Sequence, residues 1–159
     1  MDKNIKELQN LHIKIIKKND PYVIGRLIEL DKQAFNEGGL DEWTMVPIMR
    51  HGRIIALYFS DEIAGGAQFI KDWDNVNKAY LYGISIAKEY RGKGFGTKFL
   101  KLCFDELRKE GIDTIELTVD PKNYPAIRVY EQKMGFKIIN EHKNEYGKGE
   151  HRIVMELNI

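Results

Sequence analysis

The chain is poor in cysteine and in net charge, and it lacks any long apolar run. A single cysteine, Cys103, in 159 residues forbids an internal disulfide and suits a reducing compartment. Lys and Arg number 25 against 24 Asp and Glu, a formal charge of +1, so nothing general recommends a nucleic acid or an acidic membrane as partner. No apolar stretch approaches the length of a membrane span, and Met1-Asp-Lys-Asn-Ile-Lys6 lacks the hydrophobic core of a secretion signal. The expectation is a cytoplasmic protein. His12, His51, His142 and His151 have no metal-ligand spacing, and no metal is expected. Repeats, low-complexity tracts and linkers are missing too. What remains is 43% apolar and 31% charged, the balance of a globular chain whose length fits one domain over residues 1–159.

One stretch organises the rest. Ile84-Ser-Ile-Ala-Lys-Glu-Tyr-Arg-Gly-Lys-Gly-Phe-Gly-Thr97 carries an apolar strand into a loop holding Arg91, Gly92, Lys93, Gly94 and Gly96, and that loop opens a helical pattern ending near Glu110. Glycines at alternate positions let the backbone pass through positive φ and turn successive N–H groups toward an anion at the helix's positive end. Arg91 and Lys93 add full charges there. Two familiar phosphate motifs are excluded. A Walker loop needs Lys followed by Ser or Thr, and Lys93 is followed by Gly94; a dinucleotide fingerprint needs a third glycine where Thr97 stands.

Arg91-Gly-Lys-Gly-Phe-Gly96 resembles the Arg/Gln-x-x-Gly-x-Gly/Ala signature of the GNAT superfamily of acyl-CoA-dependent N-acyltransferases, and Asn123-Tyr-Pro-Ala-Ile-Arg-Val-Tyr-Glu-Gln-Lys-Met-Gly-Phe136 resembles its Asn-x-x-Ala-x-x-x-Tyr-Glu-x-x-Gly-Phe block with one extra residue. The extra residue falls between Glu131 and Gly135. Two blocks in the family's order and spacing are far more specific than either alone.

The chain in order supports a mixed α/β fold. After a helical or frayed lead-in over residues 1–10, His12–Lys17 reads as a strand, and Asp20 and Pro21 read as the cap and first turn of a helix ended by Gly38-Gly39. Asp41 caps a second helical pattern, in which Pro47 is an irregularity or a break. Ile54–Phe59 and Ile63–Ile70 form a hairpin, and Ala79–Ile86 is a strand interrupted by Gly83. The resemblance implies a bulge about there. Phe99, Leu100, Cys103, Phe104 and Leu107 share the buried face of the next helix, which Gly111 stops; Thr114–Val119 follows as a parallel strand. A helix from Tyr124 to Met134 and a closing hairpin of Phe136–Ile139 with Arg152–Leu157 complete a six- or seven-stranded mixed sheet flanked by about four helices. That order is also the GNAT order.

By the resemblance, backbone at Ile84, Ser85 and Ile86 meets the pantetheine arm of acetyl-CoA. Arg91, Gly92, Lys93, Gly94, Phe95, Gly96 and Thr97 hold its pyrophosphate, and Asn123, Ala126 and Tyr130 line the arm further along. Plain structural duties stand beside these: Thr97 as a helix cap, Asn123 as organiser of its turn. Tyr130 is the general acid expected, since a phenol of pKa about 10 is protonated at neutral pH and can supply a departing thiolate. The alternative is a core tyrosine. Some family members place a glutamate base on the strand before the loop, and here that place falls at Tyr80, a poor base. Asp120, Glu42, Asp72 and Asp74 are candidates, each also a natural turn or cap residue, and the base stays unassigned. Cys103 reads as a structural thiol on a buried face, which favours direct attack by the amine.

Glu37, Asp41, Glu42, Asp72 and Asp74, with Trp43 and Trp73, make the expected acceptor region acidic and aromatic. That lining suits a cationic amine such as a polyamine, or equally a solvated face. The rivals are a protein or peptide amine as acceptor, or a non-catalytic acyl-CoA-binding sensor. A homodimer is implied only because family members often form one.

Overall fold

A change of hydrophobic period from helix to strand at Gly52 divides the helical early part of the chain from the strands that follow. The computed structural model describes residues 3–159, with side chains from Lys6 onward; Met1 and Asp2 of the expected lead-in lie outside the described residues. In chain order the elements are α1 (Lys3–Gln9), β1 (Leu11–Ile16), α2 (Pro21–Phe35), α3 (Glu42–His51), β2 (Arg53–Phe59), β3 (Glu62–Lys71), β4 (Lys78–Ile86), α4 (Phe95–Lys109), β5 (Thr114–Val119), α5 (Tyr124–Arg128), β6 (Lys137–His142) and β7 (Arg152–Asn158). The strands form one seven-stranded sheet in the order β1-β2-β3-β4-β5-β7-β6. All the registered pairs are antiparallel except β4 with β5. The chain divides into two compact units: the N-terminal segment through Ile70 with Leu81–Glu106, and Lys71–Tyr80 with Leu107–Ile159.

In the first unit, local chemistry sets the helix ends. Asp20 accepts the N–H groups of Tyr22 and Val23 at 2.9 and 3.3 Å, with Pro21 in the first turn. Asp41 does the same for Thr44 at 3.0 Å. Helix α2 ends at Phe35, earlier than its two glycines suggest. Asn36 takes φ 53° at its end, and a single 3-10 turn covers Asn36–Gly38. Helix α3 runs through Pro47, because Met45, Ile48 and Met49 are packed into the core and burial outweighs one lost backbone hydrogen bond. Ile24, Leu27, Ile28 and Leu30 of α2 join these residues and Ile54 and Ala56 of β2 in one cluster. Truncating a fully buried member such as Leu27 costs about 2–5 kcal/mol.

The second unit rests on Ile115, Leu117 and Val119 of β5 with Val154 and Met155 of β7. Across one stretch of its strands, Lys78 reaches Glu116 at 2.5 Å and Glu156 at 3.0 Å. The hydrogen bond to Glu116, followed by that to Glu156, holds the ammonium's pKa above its ordinary value despite burial.

Strand β4 is continuous through Gly83, where an interruption was expected. What stops early is its pairing with β5, which is registered only at Lys78↔Thr114, Ala79↔Ile115 and Tyr80↔Glu116. The extra residue after Glu131 has a visible outlet. Val129–Met134 forms a π turn continuing α5, and Gly135 closes it at φ 84°. A π turn absorbs a single insertion without shifting the residues on either side, which keeps Tyr130 and Phe136 in place.

Candidate functional site

The glycine loop belongs to the first unit and is built from backbone. Gly92 and Gly94 sit at φ 73° and 83°, a region costly for any residue with a Cβ. Lys98 N–H donates to the Gly94 carbonyl at 3.0 Å, so Gly94 is the residue at which α4 begins. Helix geometry then leaves the N–H groups of Phe95, Gly96 and Thr97 without acceptors inside the helix. Thr97 therefore lies within the first turn and is no cap. Phe95 is fully buried, stacked on Tyr90 at 4.9 Å and edge-on to Phe59, and so packs the loop against the core, while Gly96 and Thr97 are half-buried. Arg91 donates from Nε to the Ile86 carbonyl at 2.8 Å, which ties the loop to the end of β4 and keeps the rest of the guanidinium exposed. Along β4, Ser85 is buried with its hydroxyl unpartnered, while Ile84 and Ile86 are half-buried.

In the second unit, Asn123 caps α5, its Oδ1 accepting Ala126 N–H at 3.3 Å; the structural duty foreseen for it is real. Tyr130 is half-buried at the start of the π turn, edge-on to Phe136 at 5.6 Å, a contact worth about 0.5–1.5 kcal/mol beyond area. Burial pushes its phenol up from the ordinary value, so it is a proton donor at neutral pH. Tyr80 is excluded as a base. Its hydroxyl is 2.8 Å from Thr118 Oγ1 and 3.4 Å from Tyr146, and burial drives its pKa far upward.

The acidic candidates scatter into local duties. Asp72 accepts the N–H groups of Asp74 and Asn75, which lower its pKa, and Asp120 accepts that of Lys122. Asp41 caps α3, and Glu42, Asp74 and Glu37 are exposed. Trp43 and Trp73 are 88% and 97% exposed and wall nothing. The Cys103 thiol is fully buried and raised by that burial, consistent with a structural role.

Two polar residues that sequence reasoning passed over are brought together instead. Asp31 shares the buried face of α2 with Leu27 and Ile28, and Gln68 sits inside β3; they are 2% and 0% exposed. Asp31 Oδ2 accepts the Leu40 N–H at 2.6 Å, fastening the segment after α2. Its Oδ1 and both polar atoms of Gln68 have no partner among the described residues. An unmatched buried polar group costs about 1–3 kcal/mol, more when charged. Burial raises the Asp31 carboxyl, and the Leu40 bond offsets this in part. Both residues line a cavity of about 110 Å³ with Phe35, Leu40, Tyr82 and Gly83. The signal in sequence was slight: an aspartate at helical spacing from Leu27, inside an apolar stripe.

The Acetyltransferase (GNAT) family model matches residues 24–136. Among individual proteins, the chain is 31% identical over 129 residues to N-alpha-acetyltransferase 50 of Danio rerio, covering 79% of this chain and 76% of that one. It is 27% identical over 129 residues to mycothiol acetyltransferase of Corynebacterium efficiens, covering 76% of this chain. The chain spans only 43% of that relative's length and 20% of the Corynebacterium aurimucosum one. The ribosomal-protein-S18-alanine N-acetyltransferase of Escherichia coli shares the fold with a TM-score of 0.75 over 94% of both chains, at 24% identity. Because the family model matches residues 24–136, a span that takes in the glycine loop, Asn123 and Tyr130 and most of the chain, the chain belongs to the acetyltransferase (GNAT) family.

Proposed function

We propose that this protein is an acetyl-CoA-dependent N-acetyltransferase that passes the acetyl group directly to a primary amine. The observation that carries the reading is the loop itself: two glycines at positive φ, a helix start with free N–H groups, and an exposed arginine anchored beside them. Those features suit a pyrophosphate. Arg91 through Thr97 hold the diphosphate. Backbone at Ile84–Ile86, beyond the last registered β4–β5 pair, offers hydrogen bonds to the pantetheine amides, and Asn123 and Ala126 serve the same arm.

In the reaction the neutral amine attacks the thioester carbonyl, the carbon–sulfur bond breaks, Tyr130 donates its proton to the leaving thiolate, and the proton that the new amide nitrogen sheds passes to water, from which the phenolate is reprotonated. The raised phenol is protonated throughout the neutral range, which supports that role. No nucleophile is needed, in keeping with a buried, protonated Cys103. The reaction needs no metal, and the protein works in the cytoplasm as a monomer or homodimer.

For the acceptor, the polyamine expectation rested on an acidic lining whose carboxylates are occupied as caps and turns or stand exposed. A peptide or protein amine gains support from the match to N-alpha-acetyltransferase 50 over most of both chains. Free-thiol release from acetyl-CoA, measured across polyamines, amino acids, aminoglycosides and peptides with free α-amines, tests the reading. Release with one class establishes the activity and its acceptor; binding of acetyl-CoA without release would make the protein a sensor. Tyr130→Phe should keep acetyl-CoA affinity and lower kcat by roughly 10²-fold. Unchanged turnover would return Tyr130 to a packing role.

A further inference from the structure

The cavity at Asp31 and Gln68 is built unlike the rest of the first unit. The cluster beside it in α2 and β2 is built of residues such as Leu27, Ile28, Ile54 and Ala56, yet here a carboxylate oxygen and a whole carboxamide are buried with no partner among the described residues. Packing does not require them, and Leu40 already uses the other Asp31 oxygen. No lysine, arginine or histidine lines the space among the described residues. Phe35 and Tyr82, 46% and 45% exposed, stand at its edge and give it aromatic walls open to solvent.

We infer that this cavity is a binding pocket for a primary ammonium group. Asp31 Oδ1 supplies the charge, Gln68 Oε1 a second acceptor, and the rings of Phe35 and Tyr82 the cation-attracting faces. The volume, about 110 Å³, holds an ammonium with two or three carbons, and any longer stem would run out past Phe35 and Tyr82 toward solvent. Gly83 keeps the pocket open. A Cβ on that residue would lie 2.8 Å from Gln68 Oε1 and 3.9 Å from Asp31 Oδ1, in the space the cation takes. That the ammonium belongs to the acceptor rests on the acetyltransferase reading; that the cavity takes an ammonium does not.

The test uses the whole chain without acetyl-CoA, with ethylammonium as probe and tetramethylammonium, which has no N–H donor, at equal ionic strength as control. Saturable shifts of the Gln68 side-chain amide and Gly83 backbone amide resonances are expected with ethylammonium, and at least tenfold weaker with the control, which keeps the ring contacts but has no N–H to give to Asp31 Oδ1 and Gln68 Oε1. Asp31→Asn keeps an acceptor for the Leu40 N–H and should weaken the probe at least tenfold. Gly83→Ala, which leaves Asp31 intact, should do the same by displacing the Gln68 carboxamide. No saturable shift, or equal affinity in both folded variants, would overturn the pocket and leave a cavity that holds only water. Thiol release decides the acetyltransferase reading separately.

Discussion

The glycine loop and the Asp31–Gln68 cavity lie in the same unit and are built on opposite plans. The loop is exposed, made of backbone N–H groups and two positive φ angles, and its side chains matter chiefly for charge. The cavity takes its polar atoms from two buried side chains, Asp31 and Gln68, which lie 37 positions apart on ordinary helix and strand backbone. A site made of backbone must be written in adjacent residues, because each φ belongs to its own position. A site made of buried side chains need not be, since the fold brings distant positions together. The first suits a group that every enzyme of a family shares, the second a group that differs from one member to the next.

Separating the two by mutation is the strongest way to sharpen that contrast. Gly94→Glu places a Cβ at φ 83° and a negative charge at the helix start, and should weaken acetyl-CoA at least 10²-fold by calorimetry while leaving ethylammonium affinity within twofold. Loss of both ligands in a folded variant would break the contrast. Arg91→Ala removes one charge and the tie to the Ile86 carbonyl; acetyl-CoA affinity should fall about tenfold, the worth of one charge-assisted hydrogen bond, again without effect at the cavity.

The smallest effect is on stability. Burial raises the Asp31 carboxyl in the folded state, so the folded chain holds that proton to higher pH than the unfolded chain. Its contribution is fully present below the unfolded value of about 3.8 and is lost as pH rises through the raised folded value. Asp31→Asn lacks that term. The urea midpoint of the native protein should therefore fall relative to the variant as pH rises above the unfolded carboxyl's value, and parallel curves would show that Asp31 is not buried alone. A residue that lowers stability where the protein works is expected of a binding group and not of a packing one.

These plans also explain what the sequence made legible. Asp20, Asp41 and Gly111 act on their immediate neighbours, so the starts and stops they mark are found where their local chemistry puts them, whereas the helix after the loop starts at Gly94 and not at Thr97. The surplus residue after Glu131 was visible by comparison with the family block, but its absorption into a π turn depends on hydrogen bonds from Gly135 and Phe136 back to Glu131 and Tyr130. For Pro47 the sequence left a mild irregularity and a break both open, and the helix continues because the burial of Met45, Ile48 and Met49 outweighs propensity. Gly83 misled: it reads as a break in a strand, whereas its purpose is space for Gln68, a residue fifteen positions earlier. Asp31 was hidden altogether, since one aspartate on an amphipathic helix ordinarily faces water.

Two-substrate kinetics of free-thiol release, with acetyl-CoA and the best primary amine of the panel varied together, in the native protein and in Asp31→Asn, test the transferase activity and the part of Asp31 together. The prediction is amine-dependent release by the native protein. In the variant, KM for the amine should rise at least tenfold while KM for acetyl-CoA stays within twofold. Release that no primary amine stimulates would contradict the transferase reading, and a variant whose amine KM is unchanged would contradict the part given to Asp31.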